Sequence, residues 1–363
     1  MRRTGLADLP LHGGKAPRWL FTRMVRLARA LSLVIVEEFG AEELLRRLAD
    51  PYWFQAFGCI LGFDWHSSGL TTTVCGALKE ALSPLSLEIG LFVCGGKARA
   101  SRRTPKEILS WAERAALPNS LSKLVKISRI TAKVDNTALQ DGFNLYHHVF
   151  VFTKQGAWTV IQQGMNEKTS YARRYHWLGE RVRSFVEEPH SGIVSPVRQQ
   201  EIFNFVAQES KKARECITTL ARQHPQVVLR ELKKARLYLP RRHGLTEADL
   251  HPRGLEKVLL STYNRAPRDF EKVLGTQGLG PKSLRALALL AELLYDAPVS
   301  RRDPARYAFA HGGKDGHPYP VDRQVYDQSI AYLEEILTKA KMGVSEREKA
   351  LGRLRQLHLR LGR

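Results

Sequence analysis

Tyr146-His147-His148-Val149-Phe150-Val151-Phe152, the link Thr153-Lys154-Gln155-Gly156, and Ala157-Trp158-Thr159-Val160-Ile161-Gln162-Gln163 form the stretch from which the rest of the chain is read. Two runs rich in β-branched and aromatic residues flank a short glycine-bearing turn, the pattern of a β-hairpin. With the turn centred near Gln155, antiparallel pairing sets His148 opposite Gln162 and His147 opposite Gln163. Side chains alternate between faces along a strand. Phe150, Phe152, Trp158 and Val160 therefore share one side, and Val149, Val151 and Ile161 the other. A hairpin apolar on both faces belongs in the middle of a sheet covered on both sides, with its polar end at the sheet's edge.

Helical spacing of apolar residues surrounds this hairpin. On the N-terminal side it predicts helices over Trp19–Phe39 and Ala41–Leu48, with Glu42 and Glu43 suiting the first turn of the second. Leu87–Cys94 reads as a buried strand, and Thr104-Pro105-Lys106-Glu107 as a helix start. From Pro196 onward the pattern predicts helices over Arg198–Gln223, Pro225–Tyr238, Leu255–Tyr263, Asp269–Leu274, Pro281–Tyr295 and Val321–Met342, with no convincing strand. Ser191-Gly192-Ile193-Val194-Ser195-Pro196 reads as a linker. The expected fold is therefore a mixed α+β domain over 1–195 with a central β-hairpin, followed by an all-α domain over 196–363.

The chain has 363 residues, 43% of them hydrophobic and 26% charged, which excludes fibrous and disordered classes. Apolar stretches such as Leu31–Val36 fall far short of the ~20 residues that cross a bilayer. Met1-Arg2-Arg3-Thr4-Gly5 leads into no run of signal-peptide type, so a cytoplasmic, nucleoid-associated protein and no membrane partner are expected. Cys59, Cys75, Cys94 and Cys216 are too scattered for a redox pair or a cysteine-rich zinc site. Lys and Arg number 57 against 36 Asp and Glu, a net charge of +21 that calls for a polyanionic partner, of which nucleic acid is the commonest.

A second, independent sign comes from Phe270-Glu271-Lys272-Val273-Leu274-Gly275-Thr276-Gln277-Gly278-Leu279-Gly280-Pro281-Lys282-Ser283-Leu284-Arg285, which resembles a helix-hairpin-helix, here within 269–295. Gly278 and Gly280 permit a tight turn and clear side chains from the path of a phosphate. Amides at the start of the second helix face the anion, with Lys282 and Arg285 adding charge. Contact of this kind predicts DNA binding with little sequence preference and steep salt dependence. The motif is also similar to that of helix-hairpin-helix DNA glycosylases. Their lyase-active members carry a lysine after the second glycine, matched by Lys282, and an aspartate in a Pro-Val-Asp context, matched in Pro320-Val321-Asp322. That resemblance implies Schiff-base chemistry at a sugar C1′, with Asp322 as the electrostatic partner. The segment 296–317 is longer than in those enzymes.

Short polar strings punctuate the first domain: His12-Gly13-Gly14-Lys15, Asp64-Trp65-His66-Ser67-Ser68-Gly69, Lys133-Val134-Asp135-Asn136, Gln140-Asp141-Gly142, His147-His148, Gln162-Gln163-Gly164, Arg173-Arg174-Tyr175-His176 and Glu188-Pro189-His190. As a set they resemble an uncharacterised family of archaea and thermophilic bacteria over nearly the whole chain, a resemblance that implies no reaction. The chemistry follows from residue type. Asp141, His147, His66 and Glu188 are candidate ligands for Mg²⁺ or Mn²⁺. Lys133 and Arg174 are candidate contacts to a scissile phosphate. Asp135, Gln163, His176 and His190 complete the catalytic candidates, centred on the polar hairpin end. These types suit metal-dependent cleavage of the DNA backbone in repair or recombination. Glycosylase or abasic-site lyase activity through Lys282, and nucleic-acid binding without catalysis, are the alternatives. The tail, with Leu351, Leu354, Leu357 and Leu361 on one stripe, suits packing on the body, pairing with a second copy in a homodimer, or lying along a phosphate backbone.

Overall fold

The computed structural model describes residues 16–63, 68–118, 123–195, 198–200, 202–235, 252–305, 323–340, 343–345 and 348–353. Among these lie the helices α1 (Arg18–Phe39), α2 (Ala41–Ala49), α3 (Pro51–Ile60), α4 (Gly69–Leu82), α5 (Ser86–Ile89), α6 (Arg99–Arg114), α7 (Lys123–Lys133), α8 (Lys211–Ala221), α9 (Pro225–Ala235), α10 (Pro252–Arg265), α11 (Phe270–Leu274), α12 (Pro281–Tyr295) and α13 (Arg323–Lys339). The strands are β1 (Leu91–Lys97), β2 (Leu139–Gln140), β3 (Asn144–Thr153), β4 (Trp158–Asn166), β5 (Tyr171–Leu178), β6 (Gly192–Val194) and β7 (Phe203–Asn204).

Strands β1, β3, β4, β5 and β6 make one five-stranded sheet in that order, antiparallel throughout. The hairpin β3–β4 takes the register its turn predicts, His148 beside Gln162 and His147 beside Gln163. Alternation then sorts two cores. Leu91, Val93, Val149, Val151 and Ile161 pack with Met24, Leu31, Leu44, Phe57 and Leu78 of the N-terminal helices. Phe92, Cys94, Phe150, Phe152, Val160 and Trp177 pack with Ile108, Ile217, Leu274 and Leu287 on the other face. The protein is thus mixed α+β, mostly helical, with a helical C-terminal region. No helix of the described residues is long and apolar enough to cross a membrane.

Several expectations change. Only Leu91 onward is strand in the predicted Leu87–Cys94; Ser86–Ile89 form a helical turn closed by Gly90 at φ +67°. Helix α6 starts at Arg99, before the predicted start at Thr104, and Pro105 lies inside it. Proline has no N–H to give the carbonyl four residues back. The Thr104 hydroxyl donates to that carbonyl, Ser101 O, at 2.8 Å. The predicted helix Arg198–Gln223 is α-helical only from Lys211, after a 3-10 turn at Gln208–Ser210, because Phe203–Asn204 is captured as β7 by β2. Leu333, Ile336 and Leu337 of α13 pack in the cluster of the N-terminal helices, while residues of α8 and α12 belong to the other.

Candidate functional site

The polar residues of β3, β4 and β5 gather at one end of the sheet, but the pleat divides them between its two sides. On the side of α1–α4, Arg174 is buried and donates to Gln55 Oε1 at 2.9 Å, to Thr71 Oγ1 at 3.3 Å and, through Nε, to His176 Nε2 at 2.8 Å. His176 Nδ1–H is directed at Leu48 O, at 3.0 Å, which fixes the tautomer that accepts from Arg174. Burial lowers the Arg174 pKa to about 9 and, with Arg174 alongside, sends His176 well below the ordinary histidine range. Arg174, read from the sequence as a phosphate contact, and His176, read as a catalytic candidate, thus sit in a buried, hydrogen-bonded frame. Gln163 donates to Ser68 O at 2.9 Å and to the Tyr146 hydroxyl. Neither ring nitrogen of buried His147 has a described partner, and burial, then His148 and Lys97, pushes its pKa down to about 3.

On the other side a carboxylate organises the site. Asp135 sits in a π-helical turn, Val134–Ala138, that continues α7. Such turns widen the helix by one residue and re-aim its side chains. Fully buried Asp135 accepts from Gln162 Nε2 at 2.5 Å, Trp177 Nε1 at 2.9 Å and His190 Nε2 at 2.5 Å. Gln162 also holds His148, Oε1 to Nδ1 at 2.8 Å, and His148 Nε2 reaches Ser128 Oγ at 2.9 Å. Burial lowers the His148 pKa, opposed by Gln162 and Asp135.

Asp141 occupies a different network. Its Oδ2 accepts from Arg173 and from the Tyr175 hydroxyl, both at 2.8 Å, and its Oδ1 from Phe143 N–H at 3.1 Å. Asp303 holds the other side of Arg173, at 2.7 and 3.0 Å. Burial works against the Arg173 charge, but the two carboxylates outweigh it and hold its pKa above the usual arginine value. Asp141, a candidate metal ligand from the sequence, thus forms a buried ion pair with Arg173. Among the described residues, no three His, Cys, Asp or Glu side chains are grouped to hold a metal ion. The predicted ligand His66 and the predicted partner Asp322 lie outside the described residues.

Two hollows open beside this network. One, about 370 Å³, is lined by Glu188, His190, Arg198, Asn204, Arg302 and Asp303 among others. Glu188 reaches its rim from a left-handed backbone, φ +41°, and pairs with Arg302 at 3.5 Å. The other is a cleft of about 470 Å³ where α6 and α7 meet the glycine turn before α12; Arg102, Arg129, Lys133, Ser128, His148 and Gly280 are among its walls. The turn has the predicted form: α11 is capped by Asp269, whose carboxylate accepts from Lys272 N–H at 2.8 Å, and Gly278 lies at φ +84°. Gly280 caps α12, with Pro281 at its first position. Lys133 Nζ donates to Leu279 O, and Gln140 Nε2 to Pro281 O at 3.1 Å, so the turn is tied to the sheet end. Lys282 is exposed beside it, while Arg285 lies over the Phe203 ring at 5.9 Å.

The structure therefore brings Glu188 and His190 to one hollow, with buried Asp135 bonded to His190, and brings Lys133, His147 and Gly280 to the other. Asp141, Arg174 and His176 belong to buried frames. Sequence reasoning missed Arg102, Ser128, Arg129 and Trp177. The pairing of His148 with Gln162 was the one available signal for the Ser128 end, since it fixed which residue the imidazole would meet.

Comparison with known proteins gives no support to a likeness to DNA glycosylases. No curated protein and no solved structure matches the chain. A family model does match residues 5–321, so the chain belongs to the family described as "Protein of unknown function (DUF763)".

Proposed function

We propose that the protein grips the phosphate backbone of nucleic acid, DNA foremost, in the cleft between α6, α7 and the glycine turn, and cleaves that backbone. One observation carries this reading. The cleft presents Arg102, Arg129 and Lys133 with no carboxylate among its lining residues, in a chain of net charge +21. No described carboxylate pairs with any of the three. Burial lowers the Lys133 pKa, so an incoming anion would favour the charged form of this lysine. The start of α12 adds amide dipoles along the same wall. The same features support recognition of shape and charge rather than of base sequence.

The test is anisotropy titration of labelled single- and double-stranded oligonucleotides over a range of salt. Each phosphate neutralised on a duplex contributes about 0.9 to the slope of log K against log salt. Arg129→Ala and Lys133→Met should each weaken binding to all sequences alike and lower that slope by about 1. A wild-type protein that binds no oligonucleotide at low salt overturns the reading. Cleavage assays with Mg²⁺, Mn²⁺ and EDTA decide whether a divalent ion takes part. Borohydride trapping on abasic DNA decides whether exposed Lys282 forms a Schiff base.

A further inference from the structure

We propose that Ser128 is a nucleophilic hydroxyl in this cleft, with His148 as its base, and that its target is a phosphodiester. The inference rests on the reading that the cleft receives backbone phosphate.

The proton positions follow from the partners. Gln162 Nε2 lies 2.5 Å from Asp135 Oδ2 and 3.3 Å from Thr131 O. Both are acceptors, so the amide nitrogen must face them and Oε1 must face His148 Nδ1, at 2.8 Å. An amide oxygen only accepts, so Nδ1 carries the proton and Nε2 offers a lone pair. Among the described residues the group on Nε2 is Ser128 Oγ, at 2.9 Å, and it must donate. A serine within a helix ordinarily returns its hydroxyl to a carbonyl of the preceding turn; this one is directed at a ring. The order nucleophile, base, orienting group is that of hydroxyl nucleophiles activated by histidine. Gln162 is the orienting group, and buried Asp135, also held by Trp177 and His190, fixes Gln162. Gln162 and Asp135 are positioning residues.

The surroundings suit the reaction. Ser128 and His148 both line the cleft, with Arg102, Arg129 and Lys133 to balance charge on phosphorus. In the first step Ser128 Oγ bonds to phosphorus as the bond to one ester oxygen breaks. The hydroxyl proton passes to His148 Nε2 and then to the departing alkoxide. The product is an alcohol end and a phosphodiester on Ser128. In the second step water attacks that phosphorus, His148 takes its proton, and the proton returns to Ser128 Oγ as the enzyme–phosphate bond breaks.

The experiment treats the full chain with a fluorophosphonate probe and, in parallel, with labelled oligonucleotide, following intact mass, cleavage and binding. Wild type should gain one adduct, mapped to Ser128. Ser128→Ala and His148→Ala should each lose labelling and cleavage by about 100-fold or more, while Ser128→Ala keeps its oligonucleotide affinity. Ser128→Cys, which preserves packing, should melt like wild type and lose cleavage to the same extent. Labelling equal in wild type and Ser128→Ala, or undiminished cleavage in a well-folded Ser128 variant, overturns the inference. Binding without any labelling or serine-dependent cleavage overturns it and leaves the phosphate-grip reading standing. Labelling at Ser128 without oligonucleotide binding supports the nucleophile and removes nucleic acid as its substrate.

Discussion

Asp141→Ala separates a metal ligand from a buried counter-ion, because the two roles fail differently. The Arg173 side chain is 0% exposed and has two carboxylates around it. Removing Asp141 leaves Asp303 as the remaining counter-charge and strips the acceptor from the Tyr175 hydroxyl and the Phe143 amide. Breaking a buried pair by deleting one partner costs about 3–5 kcal/mol. Retention of Asp303 points to the lower end, and the stranded Tyr175 hydroxyl adds about 1 kcal/mol, for a total of roughly 4 kcal/mol. With 363 residues at about 2.1 cal/mol/K each, the unfolding entropy is ~0.76 kcal/mol/K, so Tm should fall by ~5 °C. Asp141→Asn keeps an acceptor in place and should fall by less. Calorimetry of wild type and both variants, with EDTA and with excess Mn²⁺, is the assay. An unchanged melting point in Asp141→Ala, together with Mn²⁺ stabilisation that only wild type shows, would refute the counter-ion role and restore Asp141 as a ligand.

Two further outcomes follow from the same end of the sheet. His147 and His148 both have pKa values lowered by burial, His147 to about 3. The unfolded chain therefore binds protons that the fold excludes, and stability falls as pH drops below about 6.5, by up to about 1.4 kcal/mol per pH unit for each histidine. Urea midpoints from pH 7 to pH 4 should show this slope reduced by about one histidine's share in His147→Phe; an unaltered slope would contradict the burial argument. Gly95 lies at φ +96°, and a Cβ there would stand 2.2 Å from His148 O and 2.5 Å from Thr104 Oγ1. Gly95→Ala should cost about 3 kcal/mol or more by prising β1 from β3, read as a lowered Tm and lost amide protection in β3; a Tm like wild type's would show that the strand gives way easily.

The hairpin was legible because its pairing is local. The turn residues and the alternating apolar faces fix the register without help from distant chain, and the same is true of the glycine turn that ends in Gly280 and Pro281. Segment 198–210 was misread because its apolar spacing also satisfies a helix, and only the rest of the fold decides. Asn204 N–H donates to Ser300 O at 2.9 Å, and the Asn204 side chain donates to Arg302 O at 3.0 Å. No local pattern contains those partners. Helix α3 went unread: the Asp50 carboxylate caps it, accepting from Tyr52 and Trp53 N–H at 2.8 and 3.1 Å, but the aromatic run after Pro51 hides the helical period.

The chemistry was less legible for a geometric reason. His147 and His148 are adjacent in sequence, and so are Gln162 and Gln163, and Arg173 and Arg174, which invites a single polar cluster. A strand sends neighbours to opposite faces. Gln163 and Arg174 join the frame under α1–α4, around Ser68 and Gln55, while Gln162 and Arg173 join the networks of Asp135 and Asp141; His148 is held by Gln162, and His147 has no described partner. The partners that define each role stand far off in sequence: His190 is 55 residues from Asp135, and Asp303 is 130 from Arg173. A π-turn, rather than a motif, aims Asp135 at Gln162, Trp177 and His190. From this division follows a constraint on any mechanism: a substrate in the cleft beside α7 meets Ser128, His147 and His148, whereas Arg174 and His176 lie in the frame under α1–α4. Variants of Arg174 and His176 should therefore move stability before they move turnover, and variants of Ser128 should do the reverse.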